Sequence, residues 1–380
     1  MNKRERLIKT FEHEEPDRVL THCRGVLPNG TFYQAWHESV ADELEDEDVC
    51  ILPGFGDLTM RKWLDFDVVL AGIPIVVNYS THNLPKEGGQ QTRRVSWTGA
   101  MHETHSQGGM PYSWHVGGYF KRKEIQEEWY EKYGNPFDDE FRPGAQHQKI
   151  LKTKIETLEK HDYPFVLVTQ TGSFWEILME GLGYSGIAYA MRKDKQYLKN
   201  YINNIKDIIL HAWKLILELD VDVIGLADDL GQKGRGLLSP AQWREFIGPA
   251  YRELMDFAHK NGAWTWMHSC GFIEEFLPDL IDHGLDAIQS LEPAAGVDIE
   301  RVVDNYGDKM VFVGGMDSTR TLSFGTVEEV IADTKKCLKA GMPNGGYIAG
   351  PSHRIIDCPM ENVVAMRDTI RKYGKYPCRL

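Results

Sequence analysis

A histidine and a cysteine separated by a single residue, His268 and Cys270, form the sharpest chemical signal in this sequence of 380 residues. Along a regular strand, side chains two residues apart project to the same face, so this imidazole and this thiol would point together. Both groups are ligand types that zinc prefers, and a catalytic zinc site needs a third protein ligand and one exchangeable position. A buried thiol beside a hydrogen-bonded histidine explains the pair equally well.

The third ligand is expected from the loop of residues 350–353, where His353 is the best candidate. Cys358, a few residues further on, is the alternative. Gly271 directly follows Cys270, so the chain can turn sharply there and leave one side of the pair open. The sequence therefore offers a candidate zinc site made of His268, Cys270 and His353.

Four carboxylates are candidates for proton transfer or for orienting a substrate. Asp228 and Asp229 are adjacent at the end of an apolar run, and neighbouring carboxylates in a pocket raise each other's pKa. Glu176 stands in the first turn of a predicted helix, and Asp317 follows a pair of glycines. Each carboxylate also has a structural explanation, because acids complement helix N-termini and cap turns.

The elements that must position these residues are short apolar runs, which alternate with amphipathic stretches from residue 160 to residue 380. This alternation predicts a parallel sheet with right-handed crossovers. We expect a (β/α)8 TIM-type barrel, in which the chemistry lies on the loops that follow the strands, where the candidate residues fall. One long helix is expected from Pro240 to Asn261, with Ser239 as its cap. The expected strands are Val19 to His22, Phe165 to Thr169, Val221 to Ala227, Ala263 to Met267, Leu285 to Gln289, Met310 to Val313 and Gly345 to Ala349.

The first 150 residues are different and are expected to form an N-terminal elaboration of one compact domain. Asn2 to Glu12 has the pattern of a short helix. Residues 92–120 are rich in glycine and aromatic side chains, with short alternating pieces typical of an antiparallel hairpin or meander. We expect this hairpin to cover one mouth of the barrel.

Composition excludes several classes of function. Lysine and arginine number 43 against 56 acidic residues, which gives a net charge of -13 and disfavours a nucleic-acid partner. No run approaches about 18 apolar residues, so no membrane partner is expected, and the charged N-terminus lacks the apolar core of a signal peptide. The six cysteines are irregularly spaced, which indicates thiols in a cytoplasmic protein.

Four motifs in order resemble the uroporphyrinogen decarboxylase superfamily, and most closely its branch of corrinoid-dependent methyltransferases. In that branch a His-x-Cys pair and a later cysteine bind zinc, which activates a thiol or another methyl acceptor. His268 and Cys270 match the pair, whereas the position of the later cysteine falls on Ser352. The motifs are ADDLGQKGRGLLSPAQWREFIGPAYREL (227–254), WMHSCGFIEEFLPDLIDHGLDAIQSLEPAAGVD (266–298), VGGMDSTRTLSFGTVEEV (313–330) and GGYIAGPSHRIIDCPMENVVAM (345–366).

The resemblance implies a single barrel domain over residues 1–380 and a zinc-dependent methyltransferase. It would move a methyl group between a small substrate, of methyl ether, methylamine or thiol type, and a methylcorrinoid carried by a partner corrinoid-binding protein. Two alternatives stay open. The first is a lyase acting on a carboxylated tetrapyrrole, but the loop of residues 21–29 holds only Arg24 where such decarboxylases are arginine-rich. The second is a non-catalytic corrinoid- or tetrapyrrole-binding protein, which Ser352 favours.

Overall fold

Eight parallel strands lie at the centre of the computed structural model, which describes residues 1–27, 30–40, 51–52, 56–85, 92–107, 110–163 and 165–380. From the second strand onward each strand pairs with the next one along the chain, and the first pairs with the last. The eight strands are Leu20–Thr21, Val69–Ile73, Phe165–Gly172, Val223–Ala227, Trp264–His268, Ala287–Ser290, Val311–Met316 and Tyr347–Pro351.

The sheet closes between the first and second strands. A parallel bridge joins His22 to Val68, and the Thr21 carbonyl accepts hydrogen bonds from the N–H groups of Asp67 and Val68 at 2.9 and 3.1 Å. Arg18 makes a bidentate contact with the buried Asp67 carboxylate, with both distances 2.7 Å. This ion pair helps to hold the first strand against the second. The predicted (β/α)8 barrel is confirmed.

The N-terminal helix Lys3–Phe11 lies at the amino end of the barrel. Its capping box joins Asn2 and Glu5, and Leu7 and Phe11, four residues apart, share one face of the helix. Both side chains join a buried cluster of strand residues inside the barrel, where Phe11 meets Trp264 at the start of the fifth strand with ring centroids 5.4 Å apart. This end is packed with apolar groups, so the chemistry is left to the opposite, carboxyl end.

Two elements differ from expectation. The second strand, Val69–Ile73, was not predicted, although its run of apolar residues is typical of a buried parallel strand. The long helix expected from Pro240 is two helices, Pro240–Phe246 and Gly248–Lys260. The break falls before Pro249, which has no N–H to continue the helical ladder.

Helices follow the strands and cover the outside of the barrel. Among the described residues, no helix combines the length and the apolar character needed to cross a bilayer. The helices are Lys3–Phe11, Thr31–Ser39, Leu58–Trp63, Lys123–Tyr133, Ala145–Lys160, Phe174–Lys193, Lys195–Leu217, Pro240–Phe246, Gly248–Lys260, Leu277–Asp282, Ile299–Tyr306, Thr321–Phe324, Val327–Gly341 and Met360–Tyr373.

An antiparallel sheet forms where a hairpin or meander was expected. Its strands are His82–Asn83, Arg93–Val95, Ala100–Gln107 and Met110–Gly118. The sheet packs on the helix Phe174–Lys193: Phe120 N–H donates to the Gly181 carbonyl at 2.8 Å, and a Cβ at Gly118 would lie 2.4 Å from that oxygen. This close approach requires glycine. Its place over the barrel mouth stays a prediction.

Candidate active site

The three predicted metal ligands come together at the carboxyl end of the barrel. His268 ends the fifth strand, Cys270 follows it by two residues, and His353 follows the eighth strand. The Nε2 atom of His268 lies 3.2 Å from the Cys270 sulfur, and the two imidazole rings have centroids 5.8 Å apart. One ligand atom from each residue lies within 4.8 Å of the others.

These donors fit a zinc ion in type and nearly in spacing. Bonds of about 2.0–2.3 Å in a tetrahedral site separate ligand atoms by roughly 3.3–3.6 Å. The His268–Cys270 contact of 3.2 Å is close to that value, and the widest separation, up to 4.8 Å, calls for a shift of about 1 Å in one side chain. With three protein ligands, a fourth position would be left for an exchangeable group.

Gln289 orients His268. The two residues are paired in register on neighbouring strands, and the Nδ1–H of His268 donates to the amide oxygen of Gln289. The amide nitrogen of Gln289 in turn donates to the Ser352 carbonyl at 3.4 Å, which fixes the direction of the amide. The lone pair of His268 therefore lies on Nε2, the atom that faces Cys270.

The protonation states of the candidate ligands follow from burial. Burial holds the pKa of His268 well below its usual value, and the charge of Arg24 adds to the shift. Burial likewise lowers the pKa of His353. Burial raises the pKa of the Cys270 thiol, and the charges of Asp229 and Glu292 raise it further. Metal binding at this cysteine would therefore release a proton.

The turn that carries Cys270 is held by two carboxylates. Asp229, two residues after the fourth strand, accepts from the Cys270 N–H at 2.8 Å and lies 3.7 Å from His268 Nε2. Glu292, after the sixth strand, accepts from the Gly271 N–H at 3.2 Å. Gly271 has φ +82 and a Cβ there would meet the backbone of Gly231 at 2.2 Å, so the turn needs glycine, as the sequence suggested.

Asp228 is buried and holds the start of the helix Phe174–Lys193, which follows the neighbouring third strand. Its carboxylate accepts from the Glu176 N–H at 3.0 Å and from the Tyr251 hydroxyl at 2.8 Å. Burial raises the pKa of Asp228 to about 7. Asp228 therefore fixes the first turn of the helix Phe174–Lys193 and the place of Glu176 within that turn.

Glu176 is half-buried among like charges. Burial raises its pKa to about 9, with further contributions from Asp229, Asp228 and Glu180, while Arg24 opposes the shift. Near neutral pH this side chain is a carboxylic acid rather than a carboxylate. Arg24, from the loop after the first strand, thus belongs to the same charged group as the acids.

The contribution of Glu176 to the stability of the folded protein is expected to fall as the pH rises from about 5 to 9. Glu176 keeps its proton in the folded state up to a pKa of about 9, whereas a glutamate in an unfolded chain ionises near ~4.3. Between these values the folded state binds the extra proton, so stability drops by at most ~1.4 kcal/mol per pH unit for this group. Urea unfolding of Glu176→Gln across this range should show a shallower decline than the wild type. Parallel curves for the two proteins would contradict the assignment.

The other candidates lie elsewhere. The Asp317 carboxylate accepts from the N–H groups of Thr319 and Arg320, both at 3.0 Å, and pairs with the Arg320 guanidinium. These contacts agree with a turn cap. Cys358 is buried with its sulfur 3.4 Å from the Ser323 hydroxyl, outside the His–Cys–His group. The Ser352 hydroxyl lies 3.0 Å from that of Ser318.

Three residues of the site were not predicted from the sequence: Gln289, Tyr251 and Arg24 as a neighbour of the acids. Gln289 had a visible signal, since it is a polar residue at the end of an apolar strand next to the strand of His268. Tyr251 had no such signal in the sequence, because it lies on a helix among other aromatic residues and only the fold brings it to Asp228.

A closed barrel that carries a His–Cys–His group at its carboxyl end defines a TIM-barrel protein with a candidate metal centre. The uroporphyrinogen decarboxylase (URO-D) family model matches residues 139–373, which is more than half of the chain. The chain belongs to this family.

Curated methyltransferases from Methanosarcina are similar to the chain. Methylcobamide:CoM methyltransferase MtaA from Methanosarcina barkeri is 28% identical over 152 residues, which cover 40% of this chain and 42% of that protein. Methylated-thiol–coenzyme M methyltransferase from Methanosarcina mazei is 26% identical over 237 residues, 61% of each chain. The chain thus spans about two fifths to three fifths of the length of these relatives.

A solved structure described as a methyltransferase from Methanosarcina mazei shares the fold. It superposes with a TM-score of 0.63 at 17% identity, over 98% of this chain and 99% of that one. The likeness therefore extends through the N-terminal elaboration as well as the barrel.

Proposed function

We propose that this protein is a zinc-dependent methyltransferase that moves a methyl group between a small substrate and a corrinoid protein. The observation that carries the proposal is the group of His268, Cys270 and His353, gathered at the carboxyl end of the barrel within 4.8 Å. The similarity to relatives named for methylcobamide and methylated-thiol chemistry supports it. The substrate would be of methyl ether, methylamine or thiol type.

When bound, zinc would supply a Lewis acid for the heteroatom of the methyl donor or acceptor. His268 and Cys270 offer two ligand atoms from one strand end, and Gln289 keeps the His268 lone pair on Nε2. His353 provides the third ligand where the resemblance leads us to expect a cysteine at Ser352. One thiolate and two neutral imidazoles leave a net positive charge on a divalent ion, which suits activation of a neutral heteroatom.

The acids around the centre would orient the substrate or transfer protons. Asp229 holds the Cys270 turn through its N–H, and Asp228 holds the first helical turn at Glu176. The Asp317 carboxylate is occupied by Thr319 and Arg320, so its role would be to keep the loop after the seventh strand in place. Methylcorrinoid would arrive on a partner protein, so the carboxyl end of the barrel must stay accessible.

Removal of the metal is expected to abolish methyl transfer. Purified protein should contain about one zinc per chain by elemental analysis, since three ligands of the kinds zinc prefers are in place. Cob(I)alamin serves as the methyl acceptor, and its conversion to methylcobalamin is followed by absorbance with methyl ethers, methylamines and methyl thioethers in turn. Chelation should stop the reaction, and added zinc should restore it.

The control for this experiment is Cys358→Ser, which alters a buried thiol outside the group and should retain its zinc. Metal-free protein with undiminished methyl transfer would overturn the proposal. Release of carbon dioxide from a carboxylated tetrapyrrole, without methyl transfer, would favour the lyase alternative.

A further inference from the structure

One carboxyl group at the barrel mouth differs from the others in its hydrogen bonds. Asp228 and Asp229 each accept a backbone N–H, at 3.0 and 2.8 Å respectively, and Glu292 accepts one at 3.2 Å. These three carboxyl groups are therefore already engaged by donors of the protein. In the part of the chain that the structure describes, we find no hydrogen bond to the Glu176 carboxyl, which leaves both of its oxygens free for a substrate.

The surroundings of Glu176 favour its protonated form. Asp228, Asp229 and Glu180 face it with negative charge, Tyr251 lies against the same acids, and Arg24 is the cation that opposes them. The helix N-terminus beside Glu176 would ordinarily stabilise a carboxylate. Here the first free N–H groups are already taken by Asp228. Burial and three acids therefore outweigh the helix end and one arginine, and the pKa lies near 9.

We propose that Glu176 is the proton donor to the leaving group of methyl transfer, and that the small substrate is a methyl donor whose leaving atom is oxygen. This inference rests on the proposed function and narrows its three substrate types to the methyl ether class. Glu176 would then be a catalytic residue, in contact with the ether oxygen, whereas Asp228 positions it through the helix backbone.

The proton and the electrons balance in this step. The cobalt(I) of the partner's corrinoid gives an electron pair to the methyl carbon, and the carbon–oxygen bond breaks with its pair moving to oxygen. Glu176 gives its proton to that oxygen, so that an alcohol or phenol departs and a carboxylate remains. The cobalt ends as methylcobalt(III), and water returns a proton to Glu176 before the next turnover.

The other two substrate types do not need this proton. A thiolate, whose parent thiol has a pKa of about 8.5, leaves readily as an anion, and a methylated ammonium leaves as a neutral amine. A phenolate, whose parent phenol has a pKa of about 10, is a poor leaving group unless it is protonated. An alkoxide is a poorer one still. A thiol that accepts a methyl group must instead lose a proton, which a protonated carboxyl group does not take up.

The test compares Glu176→Gln with Glu328→Gln, the same change in the first turn of another barrel helix, at an exposed position. The methyl donors are anisoles graded by the acidity of the phenol they release, and a methyl thioether, each with cob(I)alamin. Loss of a general acid is expected to lower transfer from unactivated anisole by about 100- to 10,000-fold. The loss should shrink to less than about tenfold for a nitro-substituted anisole, whose leaving group needs no proton.

Three further measurements distinguish the loss of a proton donor from misfolding of the variant. The zinc content of Glu176→Gln should equal that of the wild type, and its urea unfolding should show the shallower pH dependence described above. The wild-type rate on anisole should fall at alkaline pH as Glu176 loses its proton, and this limb should be missing in the variant.

The outcomes separate this inference from the proposed function. Equal losses for all anisoles, or undiminished transfer by Glu176→Gln, would overturn the role of Glu176. Wild-type transfer confined to thioethers or amines would overturn the substrate class while leaving methyl transfer intact. Wild-type protein that holds no metal and transfers no methyl group from any donor would overturn the proposed function itself.

Discussion

Replacement of Cys270 by serine is expected to remove zinc from the protein and to lower kcat/KM for methyl transfer by at least about 1000-fold, or ~4 kcal/mol. The thiol lies 3.2 Å from His268 Nε2 and would supply the anionic ligand of the His268, Cys270 and His353 group. A serine hydroxyl stays neutral near pH 7 and binds zinc poorly. Zinc content by elemental analysis and methylcobalamin formation from cob(I)alamin measure the two effects.

The fold should survive this change, because the Cys270 contact that holds the turn is made by its backbone N–H to Asp229. Cys358→Ser is the matched control: the same substitution at a buried thiol that hydrogen-bonds Ser323 instead. We expect it to keep its zinc. Full zinc occupancy in Cys270→Ser, or loss of zinc only in Cys358→Ser, would show that the ligand set is wrong.

The sequence was sufficient to predict that His268, Cys270 and His353 come together, because two simple rules locate them. Alternation along a strand puts His268 and Cys270 on one side, and the carboxyl ends of barrel strands meet in space, which brings His353 to the pair. The choice of His353 over Cys358 was weaker at the sequence level. The loop folds so that Cys358 turns towards Ser323, which spacing alone does not encode.

The same rules do not predict the hydrogen-bond partners or the protonation of the acidic residues. Adjacent carboxylates at a strand end indicated acid–base chemistry, but Asp228 and Asp229 diverge: one accepts from the helix at Glu176 and Tyr251, the other from the Cys270 turn. The protonated state of Glu176 comes from burial and from charges on separate elements, so no local pattern encodes it. The strand Val69–Ile73 was missed for a different reason. Its apolar run was visible in the sequence, but it lies within the first 150 residues, which were expected to form an N-terminal elaboration.

Gln289 illustrates a contact that only the register of two strands creates, and its replacement by leucine is expected to weaken zinc binding by about 10- to 100-fold. Leucine cannot accept the His268 Nδ1–H, so the imidazole is no longer fixed with its lone pair on Nε2. The buried N–H left without a partner should also lower the free energy of unfolding by about 1–3 kcal/mol. Competition with a chromophoric chelator and urea unfolding measure these two effects.

Gln289→Glu provides the matched rescue, since a carboxylate also accepts from Nδ1–H and orients metal-binding histidines in this way. We expect this variant to recover most of the zinc affinity. It loses the hydrogen bond that the Gln289 amide nitrogen donates to the Ser352 carbonyl in the wild type, at 3.4 Å. The Ser290 hydroxyl, 2.6 Å from the same carbonyl, keeps that oxygen paired. Recovery of stability without recovery of zinc affinity would mean that Gln289 serves packing alone, and that His268 is oriented by the Cys270 turn.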